Sequence, residues 1–282
     1  MKFSKPLLDS IVASPPEHLY KYISFKKQSY IEDIIVHSRL YFSLPSQFRE
    51  NDAFDTRAYN FVIKGTQDRR QWLKKEIAVN YPHLTRHQKK EMRHINLHEH
   101  KDTDSAFYQQ RVNRLNQIFN DVDGQRICIF CVTDSSHRIE MWKQYIPNGE
   151  GICIKLNRNV ILDALITSNI SASVHSSHIF DLRRVEYVTL PREISVSKLM
   201  NSDSYLLGTT LLYTKLDSFS FEKEWRFIIP ECINQSILFS PDMIEEIVLG
   251  PNTTKEQIKL IETWNARRSI PFKTSTTEFR YA

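Results

Sequence analysis

The nine residues from Phe221 to Ile229, Phe-Glu-Lys-Glu-Trp-Arg-Phe-Ile-Ile, constrain this chain more than any other stretch, because their chemistry alternates with a period of two. In an extended strand successive side chains point to opposite faces. Lys223, Trp225, Phe227 and Ile229 then fall on one side, and the last three demand a core. Glu222, Glu224 and Arg226 fall on the other, so two carboxylates and a guanidinium are aimed together at whatever lies across the strand. Such a face is either a salt-bridged surface strand or the polar floor of a site, and the alternation leaves both open.

The rest of the composition narrows the classes. With 282 residues, 41% of them hydrophobic, the chain buries one large core or two smaller ones. It has six glycines and no GxGxxG, GxxxxGK[ST] or GxSxG string, which argues against the common nucleotide folds and against nucleophile-elbow hydrolases. A net charge of +5 favours an acidic ligand or nucleic acid without requiring one. Asp9 interrupts the apolar N-terminal stretch, which reads as a short surface helix or arm, and no run approaches the roughly 18 apolar residues of a membrane span. A cytoplasmic protein with no membrane partner is expected. Cys128 and Cys131 have CxxC spacing but lie in an apolar run without a turn, so they point to opposite faces. Together with Cys153 and Cys232 they are expected to be buried thiols in a reducing compartment.

The pattern along the chain is that of an α+β protein: a mixed β-sheet core with flanking helices, one domain over 1–282, and a helical insertion at about 66–121. Strands are expected over 19–23 and 40–43, the second closed by Pro45, with a helix capped by Ser29 and running to about His37 between them. In the insertion Pro82 separates the first helix from the second. Thr85 and Gln88 have capping-box spacing at the start of the second, and the third starts after Asp104 or Ser105. Central strands are expected over 126–132, 151–156, 185–190 and 224–229, with helices over 141–145, 157–167 and 203–216. At the end, a strand over 247–250, a capping box of Thr253 and Glu256, a helix to about Arg267 and a strand over 270–272 spell a strand, a crossover helix and a parallel strand.

Seven short blocks in order, Leu19-Tyr20-Lys21-Tyr22, Tyr41-Phe42-Ser43-Leu44-Pro45, Asn51-Asp52-Ala53-Phe54-Asp55, Met141-Trp142-Lys143-Gln144-Tyr145, Gly151-Ile152-Cys153-Ile154, Glu222-Lys223-Glu224-Trp225-Arg226 and Glu246-Ile247-Val248-Leu249-Gly250, resemble a bacterial family catalogued only as domain of unknown function 2971. The chain departs from that family's Phe-Asn-Asp-Pro-Phe block: Arg49 and Glu50 separate Phe48 from Asn51, and Ala53 replaces the proline. The resemblance implies an architecture more than a reaction. A second similarity, to ADP-ribosyltransferases, implies a polar residue on an early strand (Lys21 or Tyr22), a hydroxyl residue on another (Ser43) and a Glu-x-Glu near the end (Glu222 and Glu224). The arginine or histidine usual at the first of these positions is absent, and Ser43 comes earlier than the hydroxyl strand usually does.

If such a site cleaves the nicotinamide bond of NAD, a ribose oxocarbenium forms and a nearby carboxylate stabilises it. Glu224 is the first choice for that role, Glu222 for positioning the acceptor, and Arg226 for holding phosphate or fixing the adjacent carboxylate. Asp52 and Asp55 either make Asx turns or face the cleft of Glu224. Tyr20, Tyr22, Tyr41, Trp142 and Tyr145 either stack on a ring of the substrate or pack the core and its rim. His94 and His98, four apart with Glu91 beside them, have no obligatory third ligand, so no metal is expected. Arg86, Lys89, Lys90, Arg93 and Lys101 make a basic helix, either merely solvated or a contact for nucleic acid or an acidic protein. The leading expectation is an ADP-ribosyltransferase-like enzyme or toxin-type effector that uses NAD. The alternatives are a non-enzymatic binding module of a defence or toxin-neutralising system, and a nuclease in which Asp52, Asp55, Glu222 and Glu224 gather a divalent ion.

Overall fold

The apolar run after Ile127 and the alternating stretch before Pro230 become neighbours in one sheet. A computed structural model describes residues 14–49, 52, 54–56, 59–102, 105–120, 127–167, 181–199, 212–229 and 235–277. In chain order the strands are β1 (His18–Ser24), β2 (Arg39–Phe42), β3 (Tyr59–Val62), β4 (Cys128–Thr133), β5 (Gly151–Asn157), β6 (Asp181–Arg184), β7 (Glu186–Val188), β8 (Arg192–Ser195), β9 (Thr214–Leu216), β10 (Glu224–Ile229), β11 (Gln235–Leu238), β12 (Ile244–Leu249) and β13 (Lys273–Thr276). The helices are α1 (Gln28–Ile35), α2 (Pro45–Phe48), α3 (Gly65–Asn80), α4 (Arg86–Glu99), α5 (Ala106–Asn120), α6 (Ile139–Tyr145), α7 (Arg158–Thr167), α8 (Val196–Leu199) and α9 (Lys255–Ala266). This is the expected α+β class. Two compact units are formed, one from Met1–Phe48, Gln125–Tyr187 and Ser218–Ala282, the other from Arg49–Gly124 and Val188–Asp217.

The first unit is built on a seven-stranded sheet of order β13-β12-β5-β1-β4-β10-β6. Its neighbours are antiparallel except β12 and β13, which run parallel and are joined through α9. One face carries Leu19 and Ile23 of β1, Phe130 and Val132 of β4, Ile154 of β5, and Trp225, Phe227 and Ile229 of β10. These pack in a single cluster with Ile31 and Ile34 of α1, Ile161 and Leu165 of α7, and Ile261 and Trp264 of α9. The opposite face is covered differently: Tyr22, Cys153 and Val248 pack against Met141 and Trp142 of α6 and against Ile146. A shift in register between Ile244 and Glu246 keeps Ile244 in the first cluster with Ile247 and Leu249.

Several boundaries differ from those expected, each for a local reason. Ser24, not Ser29, acts as a cap, accepting from the Lys26 amide at 3.3 Å and starting a 3-10 turn that leads into α1. Pro45 opens a one-turn helix, since its fixed φ suits a first helical position. The segment expected as a strand over 185–190 holds only the short β7, Glu186–Val188, and the strand that joins the sheet edge is β6 just before it, which contains Arg183 and Arg184, charges that an edge tolerates. The box that caps α9 is Thr254 with Gln257, not Thr253 with Glu256, because the Thr253 hydroxyl is bound to the Gly151 carbonyl at 3.1 Å. The closing strand is β13 rather than 270–272: the Asn265 amide occupies both backbone groups of Phe272 at 3.0 Å, and Pro271 has no N–H to give. Of the helix expected over 203–216, Thr214–Leu216 is β9 and the part before 212 lies outside the described residues, as does the N-terminal arm before Ser14. Cys153 is a buried free thiol as expected, but Cys128 is disulfide-bonded and Cys131 is half-buried, which corrects the expectation for these two and removes the cysteine argument for a reducing compartment; Cys232 lies outside the described residues. No helix among the described residues is long and apolar enough to cross a membrane.

The second unit contains the helical segment that the composition marks. Thr85 and Gln88 form the expected capping box, with both reciprocal bonds present, and α5 begins after Ser105 as anticipated. The parallel pair β3 and β8 supplies Tyr59 and Phe61 to a core completed by Trp72, Leu73, Tyr108, Val112 and Val196. Asp68, buried, ties α3 to that pair by accepting from the Lys64 amide at 2.6 Å, the Ser197 amide at 3.2 Å and the Ser195 hydroxyl.

Gly250 sits where the end of β12 meets the turn before β5: its amide donates to Gly151 at 2.9 Å, and a Cβ there would strike the Gly149 carbonyl and lie 3.1 Å from the Trp142 ring. Backbone cannot yield as a side-chain tip can. Gly250→Ala is expected to cost about 1–3 kcal/mol in urea unfolding; an unchanged midpoint would show that this junction is slack.

Candidate functional site

The site starts from register. Glu224 lies opposite Thr133 and Arg226 opposite Cys131, so these four residues share the sheet face that is not the aliphatic core. Tyr20 lies opposite Thr133 on the other flank, which puts Tyr20 and Tyr22 on that face too. On β10 the Arg226 Nε donates to Glu224 Oε1 at 2.7 Å and its Nη2 donates to Oε2 at 3.2 Å, a two-pronged pair. Arg226 is 0% and Glu224 4% exposed. A pair so far from water persists only when its geometry is fixed and its remaining valences are used. The Glu224 amide donates to the Tyr187 hydroxyl at 2.9 Å.

Glu222 reaches the same neighbourhood by another route. Counting in twos puts it on β10 beside Glu224, but it ends a 3-10 turn, Asp217–Glu222, and Lys223 takes a left-handed φ of +46° before the strand begins. The strand parity of Glu222 is thereby corrected. Its side chain is nevertheless buried and accepts from the Tyr145 hydroxyl at 2.7 Å, while its carbonyl accepts from the Thr133 hydroxyl at 2.5 Å. Arg138 donates to the same Thr133 oxygen at 3.1 Å and pairs with Asp134. A chain of contacts therefore runs Arg138, Thr133, Glu222, Tyr145. Tyr145 is exposed as a residue while its hydroxyl is turned to the buried Glu222 carboxylate.

The aromatic residues divide between floor and rim. Trp142 is fully buried, meets Tyr22 edge-on at 5.1 Å and donates to the Ser136 carbonyl at 2.9 Å. The Tyr22 hydroxyl donates to the Ser135 carbonyl at 3.0 Å; burial, followed by the neighbouring Cys153, pushes its pKa well up. These two rings hold α6 on the sheet and present no open face for stacking, whereas Tyr145 stands at the edge.

Lys21 points to the other face. Its ammonium lies 5.1 Å from the Phe130 ring centre and donates to the Cys131 carbonyl at 2.7 Å, a group left between the pairing of β1 with β4 at Thr133 and the bridge of Ser43 to Ile129. Burial lowers its pKa, and the fields of Cys131, Glu224 and Glu222 oppose that shift. Ser43 is tied by its backbone to Ile129, four residues along β4 from Thr133 and so about 13 Å from the Glu224 level. The structure thus brings together Glu222, Glu224, Arg226, Tyr22, Trp142 and Tyr145, and leaves Ser43 and Lys21 apart from them. Asp52 and Asp55 belong to the second unit. Asp52 accepts from the Phe54 amide at 2.9 Å in an Asx turn, and Asp55 is paired with Lys215 at 3.3 Å, both side chains buried. Among the described residues no three of His, Cys, Asp or Glu gather as metal ligands would.

Thr133, Arg138 and Tyr187 were not anticipated. Arg138 had a signal: the polar run Asp134 to Arg138 follows an apolar strand and precedes a helix, the position of loops that carry sites. Thr133 and Tyr187 had none, since only pairing brings them to Glu222 and Glu224.

Fold and site define a mixed-sheet α+β protein with a buried carboxylate–guanidinium pair at the head of a central strand. Residues 141–227, which run from α6 through most of β10, match the family described as Protein of unknown function (DUF2971). No curated protein and no solved structure matches the chain.

Two outcomes follow. Removing one member of the pair leaves the other charge buried, so Arg226→Met is expected to cost about 3–5 kcal/mol, and a double-mutant cycle with Glu224→Gln should show coupling above about 1.5 kcal/mol in urea unfolding; additive losses would deny the pair. For Lys21 the folded chain holds its proton less tightly than the unfolded chain. The penalty is complete below the lowered folded value and is relieved as pH rises from there to 10.5. Stability of the wild type should climb across that window, and Lys21→Met should flatten the climb; parallel pH profiles would refute the assignment.

Proposed function

We propose that this chain is an ADP-ribosyltransferase-like enzyme that uses NAD as substrate, with Glu224 and Glu222 in divided roles. The observation that carries the reading is the unequal setting of the two carboxylates. Glu224 is clamped on both oxygens by Arg226, which suits a fixed negative charge beside a developing oxocarbenium and ill suits a group that must take a proton. Glu222 is held by the phenol of an exposed tyrosine, which suits a group that meets an incoming acceptor.

The bond between ribose C1′ and the nicotinamide nitrogen breaks with its electron pair leaving on nicotinamide. A lone pair of the acceptor forms the new bond to C1′, and the acceptor's proton passes to Glu222. Tyr145 orients Glu222, and Arg138, which donates to Thr133 at 3.1 Å and pairs with Asp134, is the cation of that chain of contacts assigned to a phosphate of the substrate. The acceptor is a nucleic acid or protein nucleophile, as for a toxin-type effector.

Nicotinamide release from NAD, followed chromatographically with and without added RNA, DNA or protein acceptors, tests this. Wild-type turnover is expected to fall about 10²–10³-fold in Glu224→Gln, and by about tenfold in Tyr145→Phe, the loss of one hydrogen bond of about 1–1.5 kcal/mol. Absence of nicotinamide release under all conditions, or full activity in Glu224→Gln, rules the reading out.

A further inference from the structure

Positive charge is concentrated in one part of the chain. Residues 64–101 hold ten lysines and arginines and four aspartates and glutamates, a net +6, while the whole chain is +5, so the other 244 residues are net −1. That stretch is α3, α4 and the segments beside them, all in the second unit. Two of its four acids are spent internally: Asp68 is buried against Ser195 and Ser197, and Glu76 is paired with Arg111 at 2.9 Å. Glu91 and Glu99 are its exposed acids, against Arg70, Lys74, Arg86, Lys90 and Lys101 among its exposed bases.

The second observation concerns α4 itself. None of its fourteen residues is buried, although Leu97 leans on the unit's core. A helix of that length is marginal unless something other than its own hydrogen bonds holds it. Here both ends are fastened. The Thr85–Gln88 box holds the start, and at the other end the buried Arg69 donates to the carbonyls of His100, at 2.8 Å, and Lys101. Core packing does not account for such a helix, whereas a rigid ridge held out for contact does. The turn between α3 and α4 adds an aromatic face: Tyr81, exposed, stands edge-on to His83 at 6.4 Å.

We infer that the α3–α4 hairpin is a docking surface for a nucleic-acid backbone, with Arg70, Lys74, Arg86 and Lys90 neutralising phosphates and Tyr81 available to a base. Exposed bases around an isolated aromatic ring fit a phosphate chain with unstacked bases. A protein partner would call for a desolvated cluster of large anchors. On the hairpin the large aliphatic side chains exposed are Val79 near the end of α3 and Ile95 on α4, sixteen positions apart, the latter flanked by His94 and Glu91.

The test is fluorescence anisotropy on the full chain, without NAD, using fluorescein-labelled 20-nucleotide oligo-dT, a 20-base-pair DNA duplex and a 20-nucleotide RNA. Binding is expected at 50 mM KCl and should weaken at least tenfold by 200 mM as counterions are released; the tightest probe identifies the type of strand. Arg70→Glu/Lys74→Glu/Arg86→Glu/Lys90→Glu should lose at least tenfold while keeping the wild-type melting temperature and circular dichroism. Lys26→Glu/Lys255→Glu/Lys259→Glu/Arg267→Glu, an equal change of charge on exposed residues of the first unit, should lose less than threefold. Three results overturn the inference: no binding of any probe at 50 mM KCl, equal losses in the two variants, or a poly-glutamate peptide bound more tightly than every nucleic acid. With NAD absent from the assay, its failure leaves the transferase reading standing, and the reverse also holds.

Discussion

A guanidinium and a carboxylate taken out of water together fix the register of the central sheet. Glu224 and Arg226 sit opposite Thr133 and Cys131, and their neighbours Trp225, Phe227 and Ile229 fill the aliphatic face. A slip of one residue would turn both charges into that aliphatic cluster and three large apolar side chains out of it. The cost would run to many kcal/mol, because an unpaired charge in an apolar interior is among the most expensive defects a fold can carry. Pairing partners on both flanks, β4 and β6, inherit that lock.

What gathers around the lock follows from it. With Glu224 at the strand's first position, the chain must enter from a turn, and Lys223 does so in a left-handed conformation that costs a non-glycine residue about 1 kcal/mol. That turn delivers Glu222 to Thr133 on one side and to Tyr145 on the other. Tyr145 is in place because α6 is anchored at Trp142 against Tyr22, and by the Trp142 indole bonded to Ser136. The polar face thus draws on three separate parts of the first unit: the end of β4, α6, and the approach to β10.

Much of this architecture was legible in residue patterns, and its failures are instructive. The Thr85–Gln88 box, the α9 crossover, and the central strands β4, β5 and β10 were readable because each is specified locally, by a capping signal or by alternation. Boundaries moved where a side chain borrowed backbone groups. Thr253 is bound to Gly151, and Asn265 holds Phe272, so the cap and the last strand each begin later than the pattern suggests. On the polar face, the pairing of Glu224 with Arg226 could be anticipated from their spacing. The left-handed Lys223, the contact of Glu222 with Tyr145, and the parts played by Thr133 and Tyr187 could not, since each depends on partners between 37 and 89 positions away or on a backbone angle that lysine rarely adopts. The α4 helix is the reverse case: its basic character was plain, but that none of its residues would be buried was not.

The most direct measure of the central claim, that the head of β10 and the Tyr145 end of α6 form one ligand-binding face, is chemical-shift mapping on isotope-labelled protein as NAD is added. The account predicts that the perturbed signals centre on Thr133, Arg138, Tyr145, Glu222 and Glu224 and saturate together. Shifts confined to other surfaces, or none at millimolar NAD, would contradict it.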